Sequence, residues 1–282
     1  MMMRIGILMF VLLVLCGRYP LCAQPVIERK IIIEDGQYYF CTVDEETQLA
    51  TLHSGVVTEN LNKARRYTIP IGRERNDAFN PLCFDISNNT LIGINWILNS
   101  NNSRYEAIKK LELKDWKKVH PAWTNEEWAQ LSFDQPVLAP NVPWQEMLAT
   151  NNVLENCFFD LIQVESKIMA ICNQGRLRIW SFAGGAWTPL SVSIPVDFST
   201  YFSLVSVHGA VIAVVDGTGS VYRLDEAAGT LTQVKSGKAI KPQILIVDND
   251  HYKTYTIPEE TIQAAGFLSV KELITLSEEI TF

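Results

Sequence analysis

Basic residues are scarce in this chain: 24 lysines and arginines stand against 31 aspartates and glutamates, a net charge of −7. Such a surface repels phosphate backbones, and nucleic-acid binding would need a basic patch. The local basic clusters are Lys63-Ala-Arg65-Arg66 and the lysines from Lys109 to Lys118. The second alternates with Glu112 and Asp115 and reads as a solvated face. Short catalytic signatures are also missing. There is no Gly-x-Ser-x-Gly elbow, no His-Glu-x-x-His, no phosphate loop and no Gly-x-Gly-x-x-Gly ahead of a helix. The four histidines (His53, His120, His208, His251) are scattered and no Cys-x-x-Cys pair occurs, which argues against a structural zinc. No cofactor is expected. After the N-terminus no apolar run is long enough for a membrane-spanning helix.

The N-terminus itself carries the parts of a secretory signal. Arg4 supplies the positive start, Ile5 to Cys16 the apolar run, and Leu21-Cys22-Ala23 the small-residue exit. Cleavage is expected after Ala23, which makes residues 1–23 the signal and 24–282 the mature domain. A lipoprotein is the rival reading, because Cys16 and Cys22 lie near the exit, but both follow leucine rather than a small residue. Cleavage removes Arg4 and Arg18 from the 24 basic residues, so 22 face 31 acids, a net of −9. The protein is expected to be secreted, periplasmic or on the cell surface.

Four cysteines survive cleavage: Cys41, Cys83, Cys157 and Cys172. An exported chain meets oxidising conditions, so an even number favours disulfides. Cys157 and Cys172 flank the hairpin from Phe158 to Ile171. A two-residue turn at Val164-Glu165 would set them opposite one another, at a spacing a disulfide can bridge. A bridge between them is expected.

A repeat runs through the chain. Lys167-Ile-Met-Ala-Ile-Cys-Asn173-Gln-Gly175 leads into Leu177 to Trp180, then Gly184-Gly185 and Trp187. A second copy, Ala210 to Asp216, Gly219 and Val221 to Leu224, then Gly229 and Leu231, follows roughly 43 residues later. Each copy is an apolar strand, an Asn/Asp-Gly turn, an alternating strand, a second turn and a last strand. Weaker copies occupy Ile31-Ile-Ile-Glu-Asp35-Gly-Gln-Tyr-Tyr-Phe-Cys41, Leu91 to Leu113, and Ile244 to Ile257. A further strand precedes three of them: Leu82 to Ile86, Cys157 to Leu161 and Tyr201 to Val205.

Four short strands in units of about forty residues build one blade of a β-propeller. The units resemble blades of the kelch and WD40 kind, and Gly184-Gly185 with Trp187 is similar to the kelch glycine pair and tryptophan. The resemblance is architectural, and no copy carries a full kelch consensus or a WD dipeptide. It implies an all-β, irregular β-propeller-like repeat domain with short helices. The alternative is a β-sandwich or barrel of similar hairpins.

Two segments break the pattern. Residues 119–152 form a Trp- and Pro-rich insert, in which Thr124 to Leu131 has a capping residue and early acids for a short helix. Pro136, Pro140 and Pro143 then enforce extended chain. At the C-terminus Pro258-Glu-Glu opens a second helix through Ala265. Val270 to Leu276 fits strand or helix equally.

Two places are candidates for function. Glycoside hydrolases work with two carboxylates and leave no short motif. Asp85 and Asp160 hold matching places in the strands preceding two copies, and in a propeller those strands line the central channel. The next copy offers Ser203 or Leu204 there, so no ring of acids forms. The competing reading is that both carboxylates bond backbone. The second place is the insert, where Trp123, Trp128 and Trp144 lie with Glu126, Glu127 and Asp134, beside Trp116. An exposed tryptophan there can stack on a sugar or anchor a protein. Asp248-Asn-Asp250 is the nearest approach to a calcium loop, and it reads as a hairpin turn. Asn88-Asn-Thr90 and Asn101-Asn-Ser103 are glycosylation acceptors if the cell is eukaryotic. The functional expectation is an exported, non-catalytic binding module for a protein or glycan partner. The alternatives are a carbohydrate-active enzyme using Asp85 and Asp160, or a structural subunit of a cell-envelope assembly.

Overall fold

A computed structural model describes residues 30–44, 49–70, 78–98, 104–114, 145–147, 158–173, 177–192, 202–207, 211–216, 219–237, 243–265 and 268–281. The signal segment and the insert residues Trp123, Glu126, Trp128, Asp134 and Trp144 lie outside them.

The chain is all-β and propeller-like. Strands β1 (Lys30–Glu34), β2 (Gln37–Asp44), β3 (Leu49–Val56) and β4 (Arg65–Pro70) pair in order as a first blade. The second comprises β5 (Ala78–Ser87), β6 (Thr90–Leu98), β7 (Arg104–Glu112) and β8 (Gln145–Met147). The third comprises β9 (Phe158–Val164), β10 (Lys167–Asn173), β11 (Leu177–Ala183) and β12 (Ala186–Leu190). The fourth comprises β13 (Phe202–Val207), β14 (Val211–Asp216), β15 (Val221–Asp225) and β16 (Thr230–Lys235). A fifth, shorter blade holds β17 (Gln243–Asp248), β18 (Lys253–Pro258) and the two-residue β19 (Glu278–Glu279). Neighbouring first strands touch in sequence, β1 with β5, β5 with β9 and β9 with β13. The described turns between a blade's first two strands, after β1, β5, β9 and β17, therefore lie at one end of the ring.

The ring closes in an unusual way. Strand β1 pairs in parallel with β17, Ile31 opposite Ile246 and Ile32 opposite Val247, so the first and fifth blades form one seven-stranded sheet. Such a sheet must be covered on both faces, which explains the unbroken apolar runs Ile31 to Ile33 and Ile244 to Val247. On one face Ile32 packs with Tyr39, Phe84 and Ile86 of the first two blades, while Leu245 and Val247 pack with Val205 and Ala213. On the other, Ile31, Ile33, Ile244 and Ile246 meet α1 (Glu259–Ala265) through Ile262 and α2 (Val270–Thr275) through Val270 and Leu273. Two helices thus fill the wedge where blade five would have faced blade one.

The segment left open by sequence is a helix, and its start is chemically marked. Ser269 caps the Glu272 N–H while the Glu272 carboxylate accepts the Ser269 N–H, a reciprocal capping box. The segment is clamped to blade one, where Lys271 N–H donates to Val57 and Leu61 N–H to Leu268. One hairpin differs from expectation. The turn in blade three falls at Glu165-Ser166, not Val164-Glu165, with Val164 opposite Lys167. A bulge after Ile171 then sets Cys172 opposite Phe158. Cys157 and the Cys172 side chain lie outside the described residues, and their bridge remains a proposal.

Two packing details yield measurable consequences. Gly55 lies opposite Tyr38 across β2 and β3, and a Cβ on it would sit 2.5 Å from the Tyr38 hydroxyl. That hydroxyl is fully buried without a hydrogen-bond partner. Gly55→Ala should lower unfolding free energy by about 1–3 kcal/mol. Tyr38→Phe should raise it by about 1 kcal/mol, both read by denaturant titration.

His53 is buried, stacks on Phe40 with centroids 4.4 Å apart, and meets Thr42 Oγ1 at 2.9 Å. Burial, with a smaller push from Arg66, depresses its pKa from 6.5 to about 3. A depressed folded pKa means the unfolded chain binds the proton first. The neutral-His contribution is therefore complete above pH 6.5 and drains as pH falls towards 3, by ~1.4 kcal/mol per pH unit. His53→Phe should show a shallower loss of stability than the native chain across that window.

Candidate functional site

The first strand of a propeller blade has an edge facing the central channel, and its N–H and C=O groups need partners there. Strands β1 and β17 find them in each other. Strands β9 and β13 find them in side chains. Asp85 Oδ2 on β5 accepts the Gln163 N–H of β9 at 2.8 Å. Asp160 Oδ2 on β9 accepts the Leu204 N–H of β13 at 3.1 Å, and its Oδ1 accepts its neighbour Leu161 N–H at 2.9 Å. Each aspartate thus stitches one blade to the next. This is why matching positions in the repeat carry the same residue.

Lys30 completes the arrangement from the start of β1. Its Nζ donates to Asp160 Oδ1 at 2.7 Å and to the Leu161 carbonyl at 3.3 Å, and lies 5.4 Å from the Phe84 ring centroid. Lys30 is 2% exposed and Asp160 0%. The pair joins blade one to blade three across the centre, 130 residues apart in sequence. No local pattern announces it, and sequence reasoning missed Lys30.

The two candidate carboxylates have different surroundings. Asp160 is enclosed, with both oxygens engaged. Asp85, 8% exposed, lines a cavity of about 490 Å³ at the turn end of the channel. Burial pushes the Asp85 carboxyl up, opposed by Lys30 and by the Gln163 and Ile86 N–H groups. Beyond Asp85 the walls are rich in acceptors: Glu34, Asp35, Gln163, Glu165, Asn249 and Asp250.

This mouth is built from hairpin turns locked to one another. Asp250 accepts the Asp35 N–H at 2.7 Å and the Gly36 N–H at 2.8 Å, tying blade five to blade one. Glu34 accepts the Asn89 N–H at 2.6 Å and the Asn249 amide at 3.2 Å, adding blade two. Burial raises the Glu34 carboxyl against these bonds. The Asp248 carboxylate caps its own loop, accepting the His251 N–H at 3.1 Å and meeting Nδ1 at 2.8 Å. Asp248 and Asp250 therefore spend three carboxylate oxygens on backbone N–H groups and the fourth on the His251 ring, as a turn does. Among the described residues, no group of three or more His, Cys, Asp or Glu side chains is arranged to hold a metal ion.

Every non-glycine residue with positive φ among those described lies in these turns: Asp35, Asn88, Asn89, Glu165 and Tyr252. Asp and Asn tolerate that conformation, whereas a tyrosine at φ 54° is an outlier. Tyr252 was not singled out by sequence, since nothing in its neighbours fixes the turn type.

No family model matches the sequence, and no curated protein matches it. Solved structures with similar arrangements include virginiamycin B lyase from Staphylococcus aureus, at 12% identity and TM-score 0.42, covering 83% of this chain and 64% of that one. Xylan beta-1,4-xylosidase from Bacillus halodurans is 11% identical with TM-score 0.45, covering 83% and 49%. The WD40 propeller domain of Doa1 is 12% identical with TM-score 0.37, covering 84% and 91%. The chain thus spans less than two thirds of the length of the first two. These likenesses concern architecture alone, and the propeller-like fold is established by the chain's own sheets.

The central ion pair makes a sharp prediction. Lys30→Met strands the enclosed Asp160 charge and should cost about 3–5 kcal/mol in urea unfolding. Lys30→Met combined with Asp160→Asn should recover most of that loss. Equal destabilisation by single and double variants would mean that the pair carries no coupling.

Proposed function

We propose that this protein is an exported, non-catalytic binding module whose ligand enters the turn-lined mouth of the central channel. The observation that carries the reading is the enclosure of Asp160. A general acid or nucleophile must reach the substrate, and Asp160 has no exposed surface and no uncommitted oxygen. Asp85 faces the cavity, but its Oδ2 is committed to the Gln163 N–H. Its role is to hold blade three and contribute an acceptor. The cavity is within the range of small-ligand sites, and its acceptor-rich wall suits a partner that brings hydrogen-bond donors.

A thermal-shift screen tests the proposal with cello-, xylo- and manno-oligosaccharides and with spermine. A ligand at a hundred times its Kd stabilises a fold by ~2.7 kcal/mol, enough for a clear rise in Tm. At least one probe should raise Tm and be recovered chemically intact. Gln163→Ala should abolish the rise, while Trp123→Ala with Trp128→Ala should leave it. The opposite pattern moves the ligand to the insert, and shortened oligosaccharide products contradict a non-catalytic role.

A further inference from the structure

The cavity wall is not uniform, and its one large aromatic decides what it fits. Tyr252 lines the mouth and is 58% exposed, the only aromatic among the described exposed large hydrophobic residues. It stands in the left-handed region at φ 54°, a conformation that tyrosine rarely adopts. The surrounding loop holds it there. Asp250, two residues earlier, grips both N–H groups of the blade-one turn, and Asp248 grips His251. The ring is thus presented on a rigid support beside the cavity rather than folded away into a core.

Opposite chemistry lies next to it. The Oε1 atom of Gln163 is buried without a hydrogen-bond partner and belongs to a residue of the cavity wall. Glu34 and Asp250 have both carboxylate oxygens occupied by N–H donors. Burial raises the Glu34 and Asp85 carboxyls above the ordinary carboxylate value, against the N–H groups that bond them. With Ser87, Asn88 and Ser206 also in the wall, the site offers donors as well as acceptors beside an aromatic face.

A sugar ring matches both halves, with C–H groups on its face and hydroxyls around its edge. Resting on the binding role argued above, we propose that the ligand is a neutral glycan and that Tyr252 is the platform on which one sugar ring stacks. The edge hydroxyls of that ring then meet the polar groups of the wall, and the Gln163 side chain turns its unpartnered Oε1 towards them on binding. Tyr252 fixes specificity for a pyranose face over a linear polyol, which has no flat apolar surface to stack.

Affinity electrophoresis of the full chain tests this, using gels that contain a soluble β-glucan, xylan or mannan, and a poly-L-lysine gel for cationic partners. At least one neutral polysaccharide should retard the protein. Tyr252→Asn should weaken retardation at least tenfold, while Tyr252→Phe and Tyr252→Trp retain it. The Tm of Tyr252→Asn should stay level or rise, because asparagine accepts the left-handed turn, which separates lost binding from lost folding. Retardation that is indifferent to Tyr252→Asn but abolished by Gln163→Ala overturns the platform and leaves the cavity as binding site. Retention by poly-L-lysine alone overturns the glycan in favour of a basic peptide. No retention by any gel overturns both this inference and the binding role beneath it.

Discussion

Unpaired backbone at the centre of the ring is the constraint on which this structure depends. Five first strands converge there, and each brings an edge of N–H and C=O groups that water does not freely reach. A buried orphan of this kind costs about 1–3 kcal/mol. The chain answers in two ways. Strands β1 and β17 hydrogen-bond to each other, whereas Asp85, Asp160 and Lys30 supply partners to β9 and β13. The ion pair of Lys30 with Asp160 makes the second answer tolerable, because an aspartate sealed from water needs its charge neutralised.

The direct pairing of β1 with β17 has a structural consequence. It turns two blades into one sheet and leaves an uncovered apolar face, and α1 and α2 exist to cover it. The same closure brings the turn after β17 against the turn after β1, where Asp250 can reach Asp35 and Gly36. Core and mouth are therefore linked. The helices hold the seam from behind, and the seam positions Tyr252 and Glu34 at the front.

How much of this was legible follows from the range of each interaction. The repeat was readable because strand, turn and strand are local, and Asp35-Gly36 predicts its own hairpin. Asp85 and Asp160 stood out because both occupy one place in the repeat, and the two competing roles assigned to them were chemistry and backbone support. The backbone bonds of Asp160 come with Lys30, whose contact spans 130 residues and leaves no trace in spacing. The helix at Val270 carried its own signal, Ser269 and Glu272 three apart, which hydrophobic periodicity alone obscured. The blade-three turn slipped by one residue because Glu165, not a glycine or asparagine, takes the positive φ. Tyr252 was hidden for the same reason. Tryptophan density drew attention to the insert, while the mouth, assembled from four separate hairpins, had no contiguous motif.

Asp85 and Asp160 hold backbone N–H groups at the centre of the ring, and that holding role can be measured. Amide hydrogen exchange resolved at single residues tests it most directly. The N–H groups of Gln163 and Leu204 face the channel rather than a neighbouring strand, and the carboxylates alone protect them. If the carboxylates hold them, both amides exchange as slowly as the ladder amides of β10 and β14, through opening of the whole domain. Rapid exchange at these two positions, against a slowly exchanging ladder, would mean that the carboxylates are unbound and open to solvent, and would contradict it.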